Sequence, residues 1–229
     1  MFDVGDRARR IGVALSSVAL LSLVACGGAA DDAGGPVVSG FTEADDDGMH
    51  GAVLTETYTW PEGTLVDSAG QDFDLRGELE KPLTLVFFGY TQCPDICQAV
   101  MADLASAVAR LDDSEADDVA TWFVTTDPAR DDPATLRAYL DRFDPDFEGL
   151  TGPLDDIVEI AEAVHVPIER GPKLDSGGYE VTHGTPILAV TPDATVPILW
   201  TEGTSAAKLA EDIQVILSEG IPTPDEEQS

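Results

Sequence analysis

The sequence predicts an α/β fold organised around one buried strand, with extra strands on its N-terminal side. Three observations predict it. Leu83-Thr84-Leu85-Val86-Phe87-Phe88 is a run of mostly apolar, β-branched and aromatic residues, the pattern of a strand covered on both faces. Ile96, Val100, Met101, Leu104, Val108 and Leu111 then recur at helical spacing, so one face of the following helix is core. Further on, strand-like and helix-like segments alternate and finish with a hairpin and a helix. With 229 residues and 43% hydrophobic content the chain can bury one good core.

The N-terminus reads as an export signal: Arg7, Arg9 and Arg10 precede the apolar run Ile11 to Val24. The string Leu23-Val24-Ala25-Cys26-Gly27 resembles a bacterial lipobox. Residues 1–25 are therefore expected to be a lipoprotein signal peptide, with Cys26 carrying lipid and holding the protein at the extracytoplasmic face of the bacterial cell membrane. Residues 26–50, rich in Gly and Asp, are expected to be a flexible acidic linker. The domain is expected over 51–220, with a disordered acidic tail at 221–229.

Within the domain, Gly51 to Leu75 alternates apolar and polar residues around Asp67-Ser68-Ala69-Gly70, which predicts a hairpin or two short strands. The core strand follows. Pro94 suits the first helical position, which makes Cys93 the expected N-cap and places Cys97 one turn later. Val119–Thr125 reads as a second buried strand, and Asp132 and Pro133 as the start of a helix running through Phe143. A brief strand at Glu148–Thr151 and a helix at Pro153–Val164 come next. Val166–Tyr179, with Gly171-Pro172 and Gly177-Gly178, reads as a loop or an irregular hairpin. Ile187–Val190 and Val196–Trp200 are strands joined at Pro192-Asp193, and Ser205–Ser218 is a closing helix ended by Gly220. This order suits a thioredoxin-like fold carrying extra N-terminal strands.

Chemistry concentrates on the cysteines. Setting aside a lipidated Cys26 leaves Cys93 and Cys97 in an exported domain, where stray thiols tend to be oxidised. A helix N-terminus favours thiolate over thiol, and thiolate is the form that binds metal or attacks a disulfide. Cα atoms four residues apart on a helix are about 6 Å from each other, which suits a disulfide or two ligands on one ion. Geometry alone does not choose between them. A purely structural bridge over so short a loop would contribute about 2 kcal/mol at best.

Three histidines are available as a third partner. His50 lies in the lead-in and is expected to be solvated, while His165 ends a helix and reads as structural. His183 stands in Thr182-His183-Gly184-Thr185-Pro186, just before a buried strand, where a thioredoxin-like sheet brings a loop against the dithiol. Thr185-Pro186 resembles the proline loop that packs there in thioredoxins. Two thiolates and one imidazole make a soft three-coordinate set, matched to Cu(I) and capable of holding Cu(II). A net charge of −32 repels polyanions, so nucleic acid is excluded as a partner.

Three ordered blocks now carry a likeness: Thr84 to Thr91 followed by Cys93-Pro94-Asp95-Ile96-Cys97, then Asp127-Pro128-Ala129-Arg130-Asp131, then Val181-Thr182-His183. Together they resemble the Sco/SenC family, from about Gly51 to the final helix. Gln98, Thr182 and Pro186 depart from residues common in that family. The resemblance implies a membrane-tethered thioredoxin-like protein binding one copper through Cys93, Cys97 and His183. It further implies a role in assembling the binuclear copper site of cytochrome c oxidase, by copper delivery or by thiol reduction. The implied partners are the copper-site subunit of that oxidase and other copper chaperones.

In this reading Asp95 supports the helix dipole, and Asp127 and Arg130 form an ion pair bracing the neighbouring loop. Copper handling stands ahead of catalysis. The rival is a thiol–disulfide oxidoreductase, in which Cys93 attacks a partner's disulfide and Cys97 resolves the mixed disulfide. A peroxidase reading rests only on Thr91 lying two residues before Cys93, and the proline-rich peroxidatic signature is missing.

Overall fold

The computed structural model describes residues 48–94, 96–173 and 179–222, with the backbone alone for 169–170, 172–173 and 179–183. The expected signal peptide, nearly all of the expected linker, the tail from 223 and Asp95 lie outside the described residues.

β4 (Leu83–Gly89) is buried along its whole length, because it lies in the middle of an eight-stranded sheet with both faces covered. Its side chains alternate between two cores. Leu83, Leu85 and Phe87 join the helices α1 (Ile96–Val108), α3 (Pro133–Leu140) and α5 (Ala206–Glu219) in one cluster. Val86 and Phe88 join α4 (Leu154–Ala163) with Trp60, Leu65, Phe73 and Leu75 in the other. β4 runs parallel to β5 (Val119–Thr125), which runs parallel to β6 (Glu148–Thr151). On its other side β4 pairs antiparallel with β9 (Ile187–Val190), which pairs with β10 (Thr195–Trp200). This is the expected thioredoxin-like arrangement.

The N-terminal strands are three rather than two, and they part company. β1 (Ala52–Thr59) pairs antiparallel with β10 at one edge of the sheet. β2 (Thr64–Asp67) and β3 (Asp72–Asp74) form the expected hairpin across Asp67 to Gly70, and it attaches through β2 to β6 at the opposite edge. Trp60 sits between these two destinations, fully buried, with its indole N–H donating to the Leu75 carbonyl at 3.1 Å.

The remaining elements follow their signals. Asp132 caps α3, accepting the Thr135 N–H at 2.7 Å with Pro133 behind it. α3 stops at Leu140 rather than at Phe143, since the Arg142 and Phe143 N–H groups turn back three residues, to the Tyr139 and Leu140 carbonyls, and the last turn tightens. α4 ends with His165 at φ 57°, where the His165 and Val166 N–H groups return to the Glu162 and Ala161 carbonyls. His165 is thus the structural residue expected of it. A short helix, α2 (Asp113–Asp117), was not foreseen; Asp112 and Glu115 form a reciprocal capping box at its start.

Residues 166–183 resolve the choice between loop and hairpin in favour of the hairpin. β7 (Ile168–Lys173) and β8 (Tyr179–His183) pair antiparallel as a separate two-stranded sheet, with a register shift between Arg170 and Lys173.

Candidate metal centre

β4 ends at Gly89, and the chain turns before entering α1. The turn closes with the Cys93 N–H donating to the Tyr90 carbonyl at 3.2 Å. α1 starts at Ile96, two residues later than Pro94, the expected first helical position. Cys93 is therefore the end of the turn and not the N-cap, because the helix begins three residues after it. Cys97 is the second residue of the helix.

Neither cysteine is in a disulfide, and both are buried, Cys93 at 6% exposure and Cys97 at zero. Their sulfurs are within hydrogen-bonding reach of each other, and the backbone N–H groups of Tyr90 and Cys97 point at the Cys97 sulfur. Burial nevertheless dominates. It pushes the Cys97 thiol well up, with the neighbouring Cys93 adding to the effect, and the backbone donors only partly offset it. The expected thiolate at the helix end is overturned here for Cys97. At neutral pH it holds its proton unless a metal ion displaces it.

The Tyr90 phenol is hydrogen-bonded to Cys93, and burial with the nearby thiols pushes its pKa up to about 12. The Arg130 guanidinium lies 6.0 Å from the Tyr90 ring centre. Arg130 in turn makes the expected ion pair with Asp127, which is almost fully buried. The β5–α3 connection thereby braces the turn that carries Cys93. Gly89 is required at the junction: a Cβ there would stand 2.9 Å from the Phe123 ring and 3.1 Å from the Cys97 sulfur.

His183 is the last residue of β8, whereas a loop position was expected. Its backbone is registered opposite Ile168, and Gly184 bonds back to the Pro167 carbonyl at 2.9 Å. Four residues after His183, β9 begins at Ile187, whose register partner is Phe87, near the end of β4 from which the dithiol turn emerges. The topology thus brings the His183 backbone to the same end of the sheet as the two thiols. The side chain of His183 lies outside the described residues. Among the described residues no third His, Cys, Asp or Glu joins the thiols as a metal-binding group.

The SCO1/SenC family model matches residues 56–218. The chain belongs to the SCO1/SenC family. A mitochondrial SCO2 homolog from Danio rerio is 34% identical over 151 residues, covering 66% of this chain and 54% of the relative, so the chain spans little more than half of that protein. The crystal structure of Arabidopsis thaliana ScoI with copper bound superposes with a TM-score of 0.63 at 25% identity, covering 69% of this chain and 98% of that one. Bradyrhizobium japonicum ScoI with copper bound gives 0.59 at 28% identity, covering 69% and 96%. Membership places the blocks read from the sequence in one fold, where Cys93, Cys97, Asp127 and Arg130 do converge.

Two residues of the site were not assigned from sequence. Tyr90 and Thr91 lie inside the quoted block, but their contacts to Cys93 and to Asp131 arise from chain folding and leave no local signature. His50, expected to be solvated, keeps an exposed ring and meets Glu211 through Nε2 at 2.9 Å, and its backbone N–H bonds to Asp212.

Proposed function

We propose that this domain binds one copper ion through Cys93, Cys97 and His183 and serves assembly of the binuclear copper site of cytochrome c oxidase. It does so from the extracytoplasmic face of the cell membrane, held by lipid on Cys26. The observation that carries the reading is the pair of adjacent, buried thiols, not joined in a disulfide, at the end of the central strand, in a family with solved members holding copper. Two sulfurs in a nearly dry pocket are soft donors, which suits Cu(I), and an imidazole would add the capacity to hold Cu(II). Copper would displace the thiol protons, so binding releases protons and weakens in acid.

Thiol reduction is the second reading, favoured by the same contact between Cys93 and Cys97. A dithiol whose sulfurs lie within hydrogen-bonding reach can attack a partner's disulfide and close on itself, giving two electrons and two protons to the partner's cysteines.

Titration of the reduced protein with Cu(I), wild type against His183→Ala, Cys93→Ser and Cys97→Ser, separates the two. Copper binding predicts one equivalent bound by the wild type and affinity lowered by at least about 10-fold in each variant; parallel loading with Cu(II) predicts a thiolate-to-copper absorption that is lost when either cysteine is removed. Unchanged affinity and spectra in His183→Ala, together with high disulfide reductase activity, would sink the three-ligand copper site.

A further inference from the structure

Two connections meet at the C-terminal end of β4 and β5. One is the turn Tyr90–Cys93. The other runs from Asp127 to Asp131 and ends in a carboxylate that copper binding does not use. Asp131 is 1% exposed. Its Oδ2 accepts the Thr91 N–H at 3.0 Å and the Thr125 hydroxyl at 2.7 Å, and its Oδ1 accepts the Thr91 hydroxyl at 2.5 Å. Two of its three donors therefore come from one residue, forty positions away in the chain.

The carboxylate is itself held from behind. The Asp131 N–H donates to the Asp127 carbonyl at 3.0 Å, and the Asp131 carbonyl accepts the Thr151 hydroxyl at 3.0 Å. This fixes an anchor against β5 and β6 from which Thr91 hangs. The two sulfurs are consequently placed by different means. Cys97 lies within α1 and is located by the helix, whereas Cys93 precedes α1 and depends on the turn in which Thr91 is the second residue.

We propose that Asp131 is the positioning residue for Cys93, fixing the sulfur-to-sulfur separation by gripping Thr91 through both its N–H and its hydroxyl. For copper this rests on the function proposed above; for the reactivity of the dithiol it does not. A carboxylate is needed because all three partners are donors and only an ionised acid accepts three bonds without offering a hydrogen of its own. Ligand residues fixed from outside in this way hold their metal more tightly than loose ones.

The test uses the full chain, reduced and metal-free, in five forms: wild type, Thr91→Val, Thr91→Ser, Asp131→Asn and the Thr91→Val, Asp131→Asn double variant. Alkylation of each cysteine by iodoacetamide is followed separately by mass spectrometry, and Cu(I) affinity is measured by competition with a chromophoric chelator. Thr91→Val and Asp131→Asn are expected to speed Cys93 alkylation severalfold without a matching change at Cys97, and to lower copper affinity about 10-fold. Thr91→Ser keeps both donors and is expected to behave as wild type. Combining Thr91→Val with Asp131→Asn should add little to the larger single effect.

Unchanged Cys93 alkylation in a folded Thr91→Val would overturn the proposal, and so would an equal rise at both cysteines. Should Asp131→Asn fail to fold, the valine and serine pair at Thr91 decides alone. A wild type that binds no copper while Cys93 reactivity follows the stated order would uphold the clamp and defeat the copper reading instead.

Discussion

The Asp212 carboxylate on α5 takes the Gly51 N–H at 2.8 Å and joins it to the Trp200 indole, whose N–H donates to the same oxygen at 2.7 Å. The His50 N–H adds bonds of 3.0 Å to both carboxylate oxygens. A buried acid thus anchors the entry of β1 to the sheet edge it pairs with. No Cβ fits at Gly51, where the Trp200 Nε1 would lie 2.5 Å away. Asp212→Ala leaves several buried donors unpaired and is expected to lower stability by about 3 kcal/mol, with Asp212→Asn losing roughly half as much. Urea unfolding of both variants measures this, and a loss below about 1 kcal/mol for the alanine would show that the anchor is not energetic.

Gly89 links the core strand to the dithiol. Adding a methyl group there crowds the Phe87 and Phe123 rings at 2.9 Å and the Cys97 sulfur at 3.1 Å. Gly89→Ala is expected to cost about 1–3 kcal/mol of stability through overpacking. It should also weaken copper by at least about 10-fold, because the sulfur must shift. Gly149→Ala is the control. Its Cβ would press on Leu140 at 2.9 Å and Leu136 at 3.0 Å, so stability should fall while copper affinity stays. Equal copper loss in both would mean that general loosening explains the effect.

Much of this architecture was legible because its signals are local. The runs of β4, β5 and β9 stand in the sequence as apolar or β-branched stretches, and Asp132, Ser205 and Gly220 mark helix ends by their own chemistry. The departures come from pairings between distant segments. Pro94 fits a first helical turn in isolation, but the Cys93 N–H closes a turn onto Tyr90 and α1 starts at Ile96. The dipole favours a Cys97 thiolate, but the sheet and three helices bury the sulfur, and desolvation wins. α2 has no apolar periodicity at all, so only the Asp112 and Glu115 capping box could have betrayed it. Asp131 was visible as part of a motif, yet its partner Thr91 is known only once β4 and β5 lie side by side.

Tyr139 offers a test of an unsatisfied group. It is buried at 3% exposure between Phe123 and Phe143, and its hydroxyl has no hydrogen-bond partner among the described residues. Burial pushes its phenol up, and the nearby Cys97 adds to the shift. A group whose folded pKa lies above its unfolded value contributes stability that is complete below the unfolded value, about 10 for tyrosine, and lost as pH rises beyond it. Tyr139→Phe should therefore stabilise the protein by about 1 kcal/mol at neutral pH and flatten its alkaline decline. Denaturation midpoints at neutral pH and above pH of about 10 check both parts, and a destabilised Tyr139→Phe would point to a partner for the hydroxyl.

The ion pair of Asp127 and Arg130 is the last feature to weigh, since breaking a buried pair and replacing it have opposite consequences. Asp127 is 3% exposed, and burial pushes its carboxyl up while Arg130 pulls it back. Arg130→Ala removes the opposing charge and the contact with the Tyr90 ring, leaving a buried anion. The cost at neutral pH is expected to be about 3 kcal/mol. The Asp127 carboxyl then rises further, so its contribution is intact only below the unfolded value of about 3.9 and is lost as pH rises through the folded one. The variant should consequently regain stability as the pH is lowered from neutral toward that range, opposite in slope to a protein whose carboxylates are stabilised by folding. Adding Asp127→Asn removes the charge and should recover much of the loss, with the pH dependence gone. Urea midpoints for the single and double variants at neutral and mildly acidic pH decide it. A single variant whose stability falls in acid would show that Asp127 reaches solvent once Arg130 is removed.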